Sequence, residues 1–426
     1  MKYVLTMEFE SPQELRSGFD LTTGCDLAEA VASALGLDEM AVSRMALQPN
    51  GTRRWIKRSE FLSLAAREKS HCKSMKGVIP MIYFDNAATT PVLPCAWDAM
   101  QAAPEANPSS SHAAGREAKA ALEKARAIIA QCINCAPSEV YFTSGATESC
   151  NWMVKCLHLE SGGIMYDRRL HHAVLESIYA YHGPSATNRW PSAVLSFVNN
   201  ETGEINDVDA FCRKYRPHRI GVDSTAAVGH LPIDFRALGA DYMAFGGHKF
   251  GAPKGIGALI VREGCPITPL LHGGAQERGE RGGTVSVPLV CAMAAALEWH
   301  TAYMEENITH LIDLRDRLLH RLTESGVAYR VNGGKNVAAH ILSLTFPGVY
   351  GASLTAALSD HGVMVSTGSA CSSGENRASE NLIASGLTEE EALSTVRFSF
   401  DWQNTPSEAD EAAKIIAQLT PTLRHG

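Results

Sequence analysis

The sequence predicts an α/β protein: a large domain on a mainly parallel sheet, a smaller α+β unit after it, and another small α+β unit before it. Three observations carry this. From Ile82, short apolar runs alternate with long helical segments, the pattern of strand–helix–strand units. Toward the C-terminus the texture changes to short strands and amphipathic helices with a Gly/Ser-rich loop between them. Residues 1–78 share neither pattern and end in a polar linker, Lys69–Gly77.

In the first unit, MKYVLTMEF alternates like a strand, and Asp26 is placed to cap a helix over Leu27–Leu35 that Gly36 ends. Gln48–Trp55, with Asn50-Gly51, reads as a hairpin, and Glu60–Arg67 as a helix. Arg53, Arg54, Lys57 and Arg58 make a local basic patch, read as a solvated edge in preference to an acidic-partner site. From Ile82 the expected elements are a strand Ile82–Phe84, a turn at Asn107–His112, a helix Arg116–Gln131 and a strand Val140–Thr143. A helix Ser149–Leu159, a strand Val194–Val198, a helix Val287–Met304 and a helix Asn307–Glu324 follow. The C-terminal part reads as strand Leu342–Phe346, helix Ser353–His361, strand Met364–Ser366, strand Thr395–Phe400 and helix Glu408–Leu419.

The bulk numbers bound the function. The chain has 426 residues, is 45% hydrophobic and 20% charged, and carries a formal net charge of −8. That suits a globular protein of two or three domains with a large core, and gives no basic surface for nucleic acid. No apolar run reaches the ~18 residues of a membrane span, and residues 1–20 carry acids and no signal-like apolar stretch, so a cytoplasmic protein is expected. The eleven cysteines are scattered and odd in number, which reads as reduced thiols. Cys132 and Cys135 form a CxxC, but it closes a helix and no second ligand pair follows; no metal site is expected.

The chemistry gathers at Asp241–Gly257, DYMAFGGHKFGAPKGIG. Lys249 stands there on a Gly-rich turn, and upstream Asp223 ends the apolar run of Ile220 and Val222. Alone, Lys249 could be a surface lysine. Together, a loop lysine and a strand-end acid are the two groups a pyridoxal phosphate enzyme needs: the lysine forms the Schiff base, and the acid keeps the pyridine nitrogen protonated. Ser144-Gly145-Ala146-Thr147 joins a strand to a helix. It is either an ordinary βα turn or an anion site in which the backbone at Ala146 and the Thr147 hydroxyl meet a phosphate.

FDNAATTP, NPSSSHAAGREA, FTSGATES, HHAVLES, VNNETG, VDSTAAVGHLPIDF, FGGHKFGAPKGIGAL, HGGAQERGERGGT, STGSACSSG and VRFSF occur in this order. Together they resemble the cysteine desulfurases of class V aminotransferase type, closest to the iron–sulfur-assembly group, from Ile82 to the C-terminus. The resemblance implies pyridoxal-phosphate fold type I, with a mainly parallel seven-stranded-type sheet in a cofactor-binding domain at 98–305. A small domain would comprise 81–97 and 306–426. It implies that Lys249 binds the cofactor covalently and moves the Cα proton, that Asp223 pairs with the ring nitrogen, and that His171 stacks on the ring and assists proton transfer. Thr147 and His248 would bind the phosphate, Asn200 the ring oxygen and the substrate, and Thr284 the phosphate of a neighbouring subunit in a homodimer. Arg397 would clamp the carboxylate of L-cysteine, and Cys371 would take its sulfur as a persulfide, releasing alanine and passing sulfur to an acceptor protein.

The chain departs from that family in three places. Ala226 stands where a glutamine is usual, Gly246 where a serine or threonine is usual, and the stretch from His171 to Asn200 is short enough to trim a strand and a helix. Weaker cofactor binding is the expectation. A lyase acting on selenocysteine or another cysteine derivative, or a degenerate homologue acting as a binding partner, are the other readings.

Overall fold

In the computed structural model, the described residues are 81–182, 191–367 and 377–424. They all belong to the unit Met81–Gly426. The strands, helices and basic patch expected within 1–80 therefore lie outside the described residues, as does the Gly368–Gly374 loop with Cys371.

A six-stranded sheet organises the larger part. Its strands are β2 (Val140–Thr143), β3 (Ile164–Tyr166), β4 (Ser192–Ser196), β5 (Ile220–Asp223), β6 (Tyr242–Gly246) and β7 (Gly257–Val261), in the order β2-β7-β6-β5-β4-β3. β3 to β6 run parallel, and β7 is antiparallel to both of its neighbours. The seven-stranded sheet expected from the resemblance thus has six strands among the described residues, with β3 at the edge. β5, β6 and β7 are buried along their whole length, which is why they read as unbroken apolar runs.

Helices cover this sheet. α1 (Pro94–Ala102), α2 (Ala113–Cys132) and α6 (Val287–Ala302) pack together, while α3 (Ala146–Ser161) lies against β6 and β7 beside α4 (His172–His182). α3 starts at Ala146, three residues before the expected Ser149. Ser149 is no cap: it is fully buried, its hydroxyl bonded to the Gly145 carbonyl at 3.1 Å and to Thr143 Oγ1 at 2.7 Å. α5 (Val208–Tyr215), capped by Asp207, joins β4 to β5.

A second core is built around β8 (Arg330–Val331), β9 (Ile341–Thr345) and β11 (Thr395–Ser399), antiparallel in the order β11-β9-β8. α7 (Met304–Glu324), α8 (Gly351–Asp360) and α11 (Pro406–Leu423) pack there through Leu311, Leu314, Leu318, Leu354, Leu358 and Ile416. Two short helices, α9 (Glu380–Ala384) and α10 (Glu389–Leu393), precede β11. A short parallel pair, β1 (Ile82–Tyr83) and β10 (Val363–Met364), adds Ile82 and Phe84 to the same core. The segment after β1 leaves this core and reaches the sheet, and that crossing places the site. Among the described residues, no helix is long and apolar enough to cross a membrane.

Candidate active site

The parallel strands end together, and Asp223, Lys249, Ala146, Thr147, His171 and Asn200 stand at that edge. Asp223 is the last residue of β5. Lys249 closes a one-turn 3₁₀ helix, Gly247–Lys249, directly after the neighbouring β6. β2 leads into Gly145 and the start of α3, β3 into His171 ahead of α4, and β4 toward Asn199–Gly203. Carboxyl ends of parallel strands are where α/β sheets form ligand sites, because helix starts and loops converge there.

Lys249 is held from the other core. Its Nζ donates to the Ala87 carbonyl and to the Ala88 carbonyl at 3.0 Å. The same turn grips the backbone on either side: Thr90 N and Oγ1 donate to the His248 carbonyl at 3.0 and 3.1 Å, and Gly251 N donates to Thr90 Oγ1 at 2.7 Å. His248 Nδ1 pairs with Thr89 Oγ1 at 3.3 Å, and burial pushes this imidazole down to about 4, with Lys249 and Lys254 adding to the shift. Asp223 is buried and accepts from Thr225 N at 3.0 Å.

His171 sits among these charges. Burial lowers its pKa, Asp223 opposes, and Lys249, His172 and Arg397 push it further down. Its Nδ1 accepts from Ala173 N at 3.1 Å, capping the start of α4, so the neutral ring carries its proton on Nε2. Arg397, on β11, is buried. Its Nη1 donates to the Asn200 carbonyl at 2.8 Å and its Nη2 to Asp85 Oδ1 at 3.0 Å, while Nε has no partner among the described residues. Asn200 is therefore tied to Arg397 through its backbone. The next residue, Glu201, is buried and accepts from Ser379 Oγ at 2.7 Å; burial raises it to about 7 against the pull of Ser379 and Arg397.

The turn at Ala146 and Thr147 fits an anion. α3 has no side-chain cap at Gly145, whose φ is +154°. Gly246 lies against it: a Cβ there would stand 3.0 Å from Ala146 N and 3.1 Å from Ala146 Cβ. The missing serine or threonine is thus matched by a close approach of β6 to the helix start. Ala226 packs among apolar neighbours that include Val198, Ala227 and Ile341. Thr284 stands apart, exposed in the loop before α6. That loop is clamped to two helices: Arg281 forms a bidentate pair with Glu148 on α3 at 2.9 and 3.0 Å, and Glu277 pairs with buried Arg126 on α2 at 2.7 and 2.9 Å.

Sequence reasoning missed Asp85, Glu201 and the Glu148–Arg281 pair. An acid directly after the first strand was the one available signal for Asp85. It also missed three buried histidines, His230, His300 and His340, behind Lys249. Cys132 and Cys135 lie where the CxxC reading placed them, at the end of α2; burial raises both thiols, Cys135 to about 12, so they are poor nucleophiles. All eight described cysteines are free thiols. Among the described residues, no cluster of three or more His, Cys, Asp or Glu could hold a metal ion.

Residues 82–183 and 188–411 match the aminotransferase class-V family. The chain is 33% identical over 375 residues to a cysteine desulfurase IscS of Methanosarcina thermophila, across 81% of this chain and 93% of that protein. Among solved structures, a NifS-like protein aligns with a TM-score of 0.73 at 31% identity, covering 80% of this chain and 100% of that one. The structure titled SspA in complex with cysteine aligns with a TM-score of 0.64 at 28% identity, covering 76% and 100%.

The geometry fixes the state of His171. Histidine-selective ¹⁵N spectra at pH 7 should show a neutral ring with the proton on Nε2, titrating below the usual histidine range. An imidazolium at pH 7, or a proton on Nδ1, would contradict the assignment.

Proposed function

Since the chain belongs to the aminotransferase class-V family and resembles its IscS-type cysteine desulfurases, we propose that it is a cysteine desulfurase that uses pyridoxal phosphate and converts L-cysteine to L-alanine. One observation carries the proposal: the turn Asp85–Ala88 bonds both Lys249 and Arg397, and Asp223 ends β5 beside β6, which leads to Lys249. An acid, an amine and a guanidinium from distant parts of the chain thus converge on one place, and they are the groups this chemistry requires.

The residues present fit pyridoxal phosphate. The uncapped start of α3, with Ala146 and Thr147, offers backbone N–H groups and a hydroxyl to the phosphate, and His248 stands beside Lys249 to complete it. Asp223 would pair with the ring nitrogen, and Lys249 would carry the group. Thr225 Oγ1, buried without a partner one residue before Ala226, is a hydroxyl available near the place where the glutamine is lost. When bound, the cofactor supplies an electron sink for charge developing at the substrate Cα.

The protein's own groups do the rest. Arg397 binds the substrate carboxylate: its guanidinium has five N–H donors, of which the Asn200 carbonyl and Asp85 each take one, and its Nε–H is unclaimed. Lys249 Nζ, once released from the Ala87 and Ala88 carbonyls, takes the Cα proton and returns it to Cα, while the proton given up by the Cys371 thiol goes to Cβ. His171, neutral with its proton on Nε2, is a donor beside the ring. Cys371 Sγ attacks the substrate sulfur as the Cβ–S bond breaks. L-cysteine and the thiol become L-alanine and a Cys371 persulfide with atoms and electrons balanced, so no outside oxidant is needed. The persulfide then passes to an acceptor protein, and Thr284, exposed ahead of α6, would reach a second subunit's phosphate in a homodimer.

Incubating the protein with pyridoxal phosphate and L-cysteine should yield alanine and a persulfide on Cys371, and Cys371→Ala should abolish the persulfide. Alanine formation undiminished in Cys371→Ala would favour a lyase. No alanine from the wild type would sink the desulfurase reading. The contact at Gly246 adds a second expectation. Restoring the family's side chain by Gly246→Ser crowds Ala146 and weakens cofactor binding by roughly fivefold or more, the scale of overpacking a fixed element. Tighter binding in a cofactor titration of Gly246→Ser would show that the helix start yields.

A further inference from the structure

Behind Lys249 lies a group of histidines that the reaction does not use. His230, His300 and His340 are exposed by only 7%, 3% and 3%. His230 and His340 stack face to face, with ring centroids 4.0 Å apart and 9° between planes, and His300 closes the group 5.9 Å from His230. The three come from different places: the turn after β5, helix α6, and the residue before β9. One of the rings bonds backbone at the site. His230 Nε2 meets the Lys249 carbonyl at 2.8 Å, and His300 packs edge-on against the Phe250 ring, 6.4 Å between centroids.

We propose that His230 is a positioning residue for Lys249: its Nε2–H holds the Lys249 carbonyl, and stacking on His340 fixes the ring that does so. This rests on Lys249 being the cofactor-bearing lysine. A carbonyl can only accept, so Nε2 must carry the proton. The bond fixes the plane of the peptide joining Lys249 to Phe250, and with it the direction in which the lysine side chain leaves the backbone. The surrounding chain is shaped for this approach. Gly229 has φ +82°, and a Cβ on it would stand 2.3 Å from Phe250 Cβ, so only glycine brings the 229–230 turn so close to 249–250. His230 stays neutral as the bond requires, because burial pushes it down to about 4. The Lys249 ammonium is meanwhile held at its far end by Ala87 and Ala88. The lysine is therefore gripped at both ends, and loosening the carbonyl end frees the amine.

The test uses the full-length protein and His230→Gln, His230→Asn and His230→Leu. A glutamine amide reaches the place of Nε2; an asparagine amide stops short, and leucine has no donor. In cofactor-free protein, reductive methylation of Lys249 is followed by peptide mass. With added pyridoxal phosphate, the rate at which the lysine-bound absorbance appears is followed, and unfolding midpoints are recorded for every variant. The expected result is several-fold faster methylation and linkage slowed at least about tenfold in His230→Asn and His230→Leu, with His230→Gln within about threefold of wild type on both measures. Equal loss in the Gln and Asn variants, or change that only follows the unfolding midpoint, would overturn the proposal and leave the ring a packing residue. If His230→Leu fails to fold, the Gln–Asn contrast decides. Wild type that links the cofactor at Lys249 but makes no alanine defeats the desulfurase reading alone. Wild type that links none at Lys249 overturns both.

Discussion

The site depends on one turn, Asp85–Thr90, that bridges two hydrophobic cores. Ile82 and Phe84 are buried with the C-terminal helices and the antiparallel strands. A few residues later, Ala87 and Ala88 give their carbonyls to Lys249 at the edge of the large sheet, and Thr90 binds the backbone of His248 and Gly251. Asp85 meanwhile bonds Arg397, and Ala87 N donates to Ser399 Oγ at 2.8 Å. A half-buried ammonium is best satisfied, and here backbone carbonyls do it. Because a single short turn serves both the lysine and the arginine, the separation between the Lys249 amine and the Arg397 guanidinium is set by local geometry. It does not depend on how two separate bodies happen to dock.

Electrostatics follow from burial. His171, His230, His248, His300 and His340 are all held below the ordinary histidine range, chiefly by desolvation. The histidines around the site therefore contribute donors and acceptors at neutral pH and leave cationic charge to Lys249 and Arg397. The buried acids nearby, Asp223 and Glu201, differ in partners: Asp223 takes a backbone N–H, whereas Glu201 takes one hydroxyl and is raised to about 7.

Much of this was legible in the sequence because it is local. The turn around Lys249, the acid ending β5 and the strand-to-helix turn at Ala146 each need only a few consecutive residues. What was missed is long-range. Asp85 meets Arg397 from the opposite end of the chain, Glu277 meets Arg126 across the edge of the sheet, and His230 stacks on His340 from another core. No periodicity carries such pairs. The misplaced start of α3 has a local cause: Ser149 looks like a cap in sequence, but its hydroxyl is spent inside the helix on Gly145 and Thr143. β3 is three residues long, too short for an alternating pattern to register.

The central claim is that Lys249 is the residue that carries the cofactor. Borohydride reduction of the protein after addition of pyridoxal phosphate, followed by peptide mass mapping, tests it most directly. A pyridoxyl group on Lys249 is the predicted result. A group on any other lysine, or none after saturating cofactor, would contradict it.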